Sequence, residues 1–294
     1  MERQKSFTDE SRGKLYIVGT PIGNLGDCSQ RMREVLASVD GIACEDTRHT
    51  RKLLSHLNIS VPLISYHQHN RRQRGEELIR RLIQGETFAL VSDAGMPGLS
   101  DPGEELIRDA IEADIPVVSI PGPNAAVSAV VASGLPPQPF LFVGFLPRQR
   151  KERVQELERW KTVPATLIFY EAPHRVAAML KDVAAVFGNR PAAMVRELTK
   201  RHEEWLRGDV NSLLSALVEG GVKGEITLVV AGADRDVHQE EEAPWWESLS
   251  LVQHVDHYIA QGMSKKEAIQ QTAQERSLPK REVYNAYHRA VDSE

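Results

Sequence analysis

The sequence predicts an α/β chain, with two successive arrays of strands and helices followed by a small helical domain. Three observations predict this. Short apolar runs recur between residues 14 and 230, and each opens through a polar or Gly/Pro-rich turn into an amphipathic stretch. The segment GLPPQPF, Gly134 to Phe140, breaks the series as a stiff hinge. Beyond residue 232 an acidic stretch without periodicity leads to three amphipathic segments. The expected layout is a flexible terminus at 1–13, α/β domains at 14–135 and 136–232, an acidic linker at 233–247 and a helical domain at 248–294.

The elements follow in order. Lys14 to Val18 is a short strand running into GTPIGN, Gly19 to Asn24, and a helix is expected over Gln30 to Val39 before a second strand, Gly41 to Cys44. The glycines at 19 and 23 match neither the dinucleotide G-x-G-x-x-G nor the P-loop, which removes support for NAD or ATP. The second strand ends in EDTRHTRKLL, placing Glu45, Asp46, Thr47 and Arg48 at a sheet edge, with Asp46 or Thr47 also suited to cap the next helix. A strand at Pro62 to Ser65 then opens into YHQHNRRQRGEE, read as a loop carrying His67, His69, Arg71, Arg72 and Arg74 before a helix at Glu76 to Ile83. The arginines beside Tyr66 suit phosphate contact and base stacking, or alternatively a solvated charged helix start. His67 and His69 lack a third ligand at useful spacing, so no metal site is expected.

Two turns stand out as pocket walls. The run Phe88 to Val91 enters LVSDAGMPGLSDP, and Ile115 to Ile120 enters PGPNAA, each followed by a helix, at Glu104 to Glu112 and Ala125 to Ala132. Glycine there lets backbone approach a ligand, and proline stiffens the loop before binding. Asp93, the first strongly polar group past its strand, is a natural acceptor for a ligand hydroxyl or other donor. In the second array, strands at Phe140 to Phe145, Thr166 to Tyr170, Ala192 to Val195 and Glu225 to Val230 are expected, with an exposed basic loop at Arg148 to Arg153. FYEAPHR puts Glu171, His174 and Arg175 at a strand's carboxyl end, with Pro173 set for a helix's first turn. Glu171 and Arg175 also have the i, i+4 spacing of a helix-start ion pair. RELTKRHEE adds Glu197 and Lys200 in the same position on the next strand, and AGA is read as the carboxyl end of the last. In the tail, Ser264-x-x-Glu267 is a capping box, and three short helices with Lys265, Lys266, Lys280, Arg281 and Arg289 suit either a helix-turn-helix contact to nucleic acid or a docking bundle.

Composition limits what these turns serve. With 36 basic and 41 acidic residues the chain is not a uniformly basic nucleic-acid coat, so any polyanion site must be a patch. Two cysteines suit a reducing compartment, and the polar opening MERQKSFTDESRGK lacks a signal peptide's apolar core, so a cytoplasmic, non-membrane protein is expected.

The motifs GTPIGNLGD, EDTRHTRKLL, YHQHN, SDAGMPGLSDPG, PGPNAA, FYEAPHR, RELTKRHEE and the SKKEA to REVY tail together resemble the ribosomal RNA small-subunit methyltransferase I family of the tetrapyrrole methylase-like superfamily, over roughly residues 13 to 290. The resemblance implies a class III methyltransferase fold, two α/β domains enclosing S-adenosylmethionine, and a homodimer. It implies 2′-O-methylation of a cytidine in the decoding region of 16S ribosomal RNA, with the small ribosomal subunit as partner. Carried over motif by motif, the cofactor wall comprises Thr20, Pro21, Ile22, Asp93, Met96, Asn124, Ala125 and Tyr170. The first turn departs from the pattern, reading GTPIGN where small-molecule relatives carry G-x-G-P-G. A ribose hydroxyl needs a proton acceptor and in-line placement behind the methyl. The candidates for this work are Glu171, His174, Glu197, Lys200 and Asp46, with Glu171 favoured as base or orienting group and Arg175 and Lys200 fixing a neighbouring phosphate or the oxyanion being formed. Arg48, His67, Arg71, Arg72, Arg74, Lys280 and Arg281 are the expected RNA contacts. Two other readings stand beside this one: a small-molecule methylase of tetrapyrrole type, which gives no reason for Arg71, Arg72, Arg74 and the basic tail, and a non-enzymatic nucleic-acid-binding protein in which the helical tail is the active part and the α/β body a scaffold.

Overall fold

The computed structural model describes residue 4 and residues 13–220, 222–234 and 245–291. Most of the expected flexible terminus and of the expected acidic linker lies outside the described residues. The chain forms two compact units, residues 1–233 and 234–294.

The first array contains β1 (Leu15–Val18), α1 (Gln30–Ser38), β2 (Gly41–Cys44), α2 (Thr47–Leu57), β3 (Leu63–Ser65), α3 (Arg71–Ile83), β4 (Phe88–Val91), α4 (Glu104–Glu112), β5 (Val117–Ile120) and α5 (Ala125–Ala132). Its strands form one parallel sheet in the order β3-β2-β4-β1-β5, with Leu15 opposite both Phe88 and Val117. Alternation along each strand feeds two cores. Leu15, Ile17 and Leu90 pack with Leu78 of α3 and Leu106 of α4, whereas Val18, Ala89 and Val91 pack with Met32, Leu36 and Leu54 of α1 and α2. All carboxyl ends therefore meet at one edge.

The helix α3 starts at Arg71, five residues before the helix expected at Glu76. Arg71, Arg72 and Arg74 thus occupy its first turns rather than a loop, where Arg72–Glu76 and Arg74–Glu77 are the local i, i+4 and i, i+3 pairs.

The second array contains β6 (Phe140–Phe145), α6 (Arg150–Trp160), β7 (Thr166–Glu171), α7 (Pro173–Phe187), β8 (Pro191–Arg196), β9 (Glu204–Asp209), α8 (Val210–Gly220) and β10 (Ile226–Val230). The sheet order is β6-β7-β10-β8-β9, and β10 runs antiparallel to both of its neighbours. This corrects the expectation that AGA marks a further carboxyl end beside the others. The amino end of β10 lies there instead, with Ile226 paired to Glu171 and to Arg196. The strand β9 and the helix α8 have no counterpart in the expected series. The basic loop at Arg148 to Arg153 is also corrected, because α6 begins at Arg150 and Arg153 is buried against Asp182.

One face of this sheet carries α6, α7 and α8, through Leu157, Val176, Leu180 and Leu213. The other carries α5, whose Ala126, Ala129 and Val130 pack on Ile168, Val195 and Val229. A helix that leaves the first sheet is thereby buried on the second. Its small residues permit close approach, and the two strand edges are brought to one cleft.

In the second unit α9 (Leu251–Ala260), α10 (Lys265–Glu275) and α11 (Lys280–Val291) enclose Val255, Ile269, Ala273 and Val283. Capping boxes at Ser250 and Ser264 start the first two of these helices. His254 is fully buried: Arg276 Nε donates to its Nδ1 at 3.1 Å, which leaves Nε2–H to donate to Glu275 at 3.0 Å.

Candidate active site

The cleft is built from backbone first. The Thr20 N–H donates to the Gly95 carbonyl at 2.9 Å and the Gly95 N–H returns to Thr20 at 3.1 Å, which ties the turn after β1 to the turn after β4. Gly95 sits at φ 80°, a conformation that favours glycine. Gly19 and Gly122 press together so closely that a Cβ on either would lie 2.7 Å from backbone of the other. These three turns form one continuous wall. The Asn124 side chain caps α5 by accepting from the Val127 N–H at 3.0 Å, and the next free N–H, of Ala126, donates to Tyr170 Oη at 3.1 Å.

Two cavities open on this wall. One, of about 370 Å³, is lined by Ile22, Met96, Asp101, Asn124, Ala125, Tyr170 and Glu171, among others. The second, of about 450 Å³, is lined by Pro21, Ile22, His49, Lys52, Asp93 and Lys200, among others. They share Ile22, Ala94 and Glu225 as a common partition. The residues expected from the turns thus come together, divided between adjoining spaces, with one exception. The Thr20 side chain is 1% exposed and its hydroxyl donates to the Ser92 carbonyl at 3.2 Å, so it braces the wall without facing either cavity.

Glu171 is 2% exposed and lies on the first cavity. Its Oε1 accepts from the Ala172 N–H at 2.8 Å, and Arg175 stands 3.3 Å from Oε2, the helix-start pair that the spacing allowed. Oε2 itself accepts no hydrogen bond. Arg175 is otherwise spent on the carbonyls of Leu146 and Pro147, at 2.9 and 3.1 Å. Lys200 bridges Glu197 and Glu225 at 3.0 Å each. Burial disfavours its charge, yet the hydrogen bonds it donates to Glu225 and Glu197 outweigh that and raise its pKa, so Lys200 stays an ammonium. The Glu225 N–H holds the Glu197 carboxyl below its ordinary range.

The basic residues read as RNA contacts are largely paired within the chain. Arg48 binds Asp46 at 2.8 Å, Arg71 binds Glu105 at 3.2 Å and Arg74 binds Glu77 at 2.6 Å. His67 and His69 lie ring to ring at 5.9 Å, and Lys280 donates to Gln270 at 2.8 Å. Arg281 lies near the start of α11. Asp46 is the cap of α2. Among the described residues no group of three or more His, Cys, Asp or Glu is placed to hold a metal.

Sequence reasoning missed Asp101, His49, Lys52 and Glu225. Asp101 lies in the quoted turn SDPG, but its character comes from burial and from Glu45, just past the end of the neighbouring strand β2. Burial pushes its carboxyl up to about 6, reinforced by the charge of Glu45 and opposed by a hydrogen bond from Ser92. A carboxyl raised above its unfolded value of about 4 favours the folded state most below that value, and loses the advantage as pH rises through about 6. Asp101→Asn should therefore melt at a higher temperature than the parent at pH 8, with the difference shrinking toward pH 4. A difference independent of pH would refute this environment for Asp101.

Parallel strands whose glycine turns meet at a cleft beside a second, mixed sheet define a class of methylase. The family described as Tetrapyrrole (Corrin/Porphyrin) Methylases matches residues 14–214, and the chain belongs to it. It is a methyltransferase. The chain is 53% identical over 289 residues to "Ribosomal RNA small subunit methyltransferase I" of Halalkalibacterium halodurans, covering 98% of this chain and 99% of that protein. It is 49% identical to the Bacillus subtilis protein of the same name, with the same coverage. Among solved structures, a cobalt precorrin-4 methyltransferase superposes with TM-score 0.57 at 16% identity, over 76% of this chain and 96% of that one, which shows a shared fold.

Proposed function

We propose that the protein transfers a methyl group from S-adenosylmethionine to the 2′-hydroxyl of a cytidine in the decoding region of 16S ribosomal RNA, acting in the cytoplasm as a homodimer. The observation that carries the reading is the pair of adjoining cavities that share Ile22, Ala94 and Glu225 in their linings, an arrangement suited to two substrates that react across a short gap. Relatives covering nearly the full chain are named for small-subunit ribosomal RNA, which supports that acceptor over a tetrapyrrole.

The residues fit the cofactor. The smaller cavity offers apolar surface from Ile22, Met96 and Phe145, the Tyr170 ring and the backbone around Asn124 and Ala125. The Oε2 of Glu171, ion-paired with Arg175 at 3.3 Å, accepts no hydrogen bond within the protein and so has acceptor capacity to spare. Asp101 adds a second carboxyl suited to a cationic ligand. When bound, S-adenosylmethionine supplies a methyl already activated on sulfonium. The chain's own tasks are to exclude water, to hold the acceptor oxygen in line and to receive its proton. Glu171 is the proposed acceptor or orienting group for that proton, a role typically contributing about 10²- to 10⁴-fold. Arg175 fixes the Glu171 carboxylate, Glu197 fixes Lys200, and Lys200 faces the larger cavity as the cation nearest Glu225. For the dimer, Val127 and Val131 of α5 are exposed and apolar, and light scattering should give twice the 32.8 kDa of one chain.

The test is methyl transfer from labelled S-adenosylmethionine to small subunits prepared without this protein, with the product mapped by nuclease digestion and mass spectrometry. One 2′-O-methylcytidine in the decoding region is the expected result. Cofactor binding without transfer to subunits or their RNA would favour a small-molecule acceptor. Absence of cofactor binding would leave only the RNA-binding reading.

A further inference from the structure

The larger cavity has a basic rim that the fold leaves unused. His49 and Lys52 stand one turn apart on α2, both exposed and both lining that cavity. Neither side chain forms a hydrogen bond or ion pair with the described residues. The arginines that looked most suited to phosphate are the reverse case, because Arg48, Arg71, Arg72 and Arg74 each have a carboxylate within 4 Å. An anion would have to compete with those carboxylates, whereas at the His49 and Lys52 side chains no ion pair has to be broken.

Asp93, which accepts from the Asp46 N–H at the start of α2 at 3.3 Å, and Glu225 with Lys200 bound to it also line this cavity. Ile22, Ala94 and Glu225 belong to both cavities, so a nucleotide held at His49 and Lys52 would occupy the space that adjoins the smaller one. At about 450 Å³ the space lies within the range of small-ligand sites. The Lys52 ammonium supplies three donors and a point charge, and the His49 ring supplies a further N–H, a set suited to phosphodiester oxygens rather than to a base edge.

We infer that the larger cavity receives the acceptor nucleotide of the RNA, with Lys52 and His49 contacting the phosphodiester beside the sugar to be methylated. The inference rests on the RNA reading above. It assigns register to these two residues and not base choice, so their loss should weaken binding of all RNA sequences alike.

The test compares the full-length protein with Lys52→Ala and with the His49→Ala/Lys52→Ala double variant. Binding to undermethylated small subunits is measured from 50 to 200 mM NaCl, with cofactor affinity measured separately by calorimetry. Lys181→Ala, at an exposed lysine of α7, serves as the control. Loss of Lys52 should weaken subunit binding about tenfold at the lowest salt and reduce the slope of log K against log[salt] by about one, while cofactor affinity holds. Lys52→Arg should keep most of the slope. An unchanged slope in Lys52→Ala with methyl transfer intact would overturn the inference and leave the RNA reading standing. Parent protein that neither binds nor methylates subunits would remove both. Tight binding of free cytidine 5′-monophosphate, weakened by Lys52→Ala while subunit binding is not, would replace the RNA chain with a free nucleotide as occupant.

Discussion

Gly122→Ala is expected to lower methyl transfer at least about 100-fold while leaving a folded protein. A Cβ at residue 122 would lie 2.7 Å from the carbonyl carbon, Cα and oxygen of Gly19, and all three are backbone atoms that cannot rotate away. Neither glycine needs a left-handed conformation, so the constraint is space alone. To admit the methyl group, the turn after β5 must retreat from the turn after β1. The second turn is pinned to Gly95, and the first carries Asn124 and Ala125 into the smaller cavity. The wall opens where the cofactor is proposed to lie. Overpacking of this kind also costs about 1–3 kcal/mol of stability. Gly75→Ala is the matched control, since it lies inside α3 with the nearest atom, on the Tyr66 ring, 4.0 Å from the new Cβ, and alanine is the better helix former. Calorimetry with S-adenosylmethionine and the labelled-transfer assay read both variants. Near-parental activity in Gly122→Ala would show that the turns can separate without consequence.

Asp182→Ala should destabilise the protein by about 3–5 kcal/mol, the usual cost of stranding a buried charge. Asp182 is 3% exposed within α7 and accepts from Arg153 Nε at 2.8 Å and from the same guanidinium's terminal nitrogen at 2.6 Å. Arg153 is itself 6% exposed and also donates to the Arg148 carbonyl at 3.1 Å, which secures the turn leading into α6. Removing the carboxylate leaves that guanidinium dry and without its counter-charge. Arg150 reaches the other carboxylate oxygen at 3.0 Å, but its side chain is 77% exposed, so Arg150→Ala should cost at most about 1 kcal/mol. Urea unfolding followed by circular dichroism measures both. An Asp182→Ala midpoint within error of the Arg150→Ala midpoint would refute the assignment of a buried, stability-bearing pair.

These two sites differ in how far the sequence reveals them. The turns around Gly19 and Gly122 are legible because each is a local pattern, an apolar run ending in glycine and proline ahead of a helix. The strands β2, β4 and β6 and the helices α4 and α5 follow from the same short-range rules of period and capping, and the motifs carried by those turns identify the family. Arg153 and Asp182 lie 29 residues apart and on different helices, so nothing local distinguishes Arg153 from the exposed Arg150. The same separation explains the reversed strand β10, whose direction is set by pairing with β7 and β8 rather than by its own residues. It explains the basic patch as well: Arg71 reads as free until α4 brings Glu105 to within 3.2 Å. The class of fold, the family and the turns that make the cleft wall follow from the chain's local patterns, because each rests on residues close in sequence. Which charges are spent on one another and which, like Asp101, His49 and Lys52, remain facing a cavity follows from tertiary contacts alone, because ion pairing and burial depend on neighbours that folding brings together.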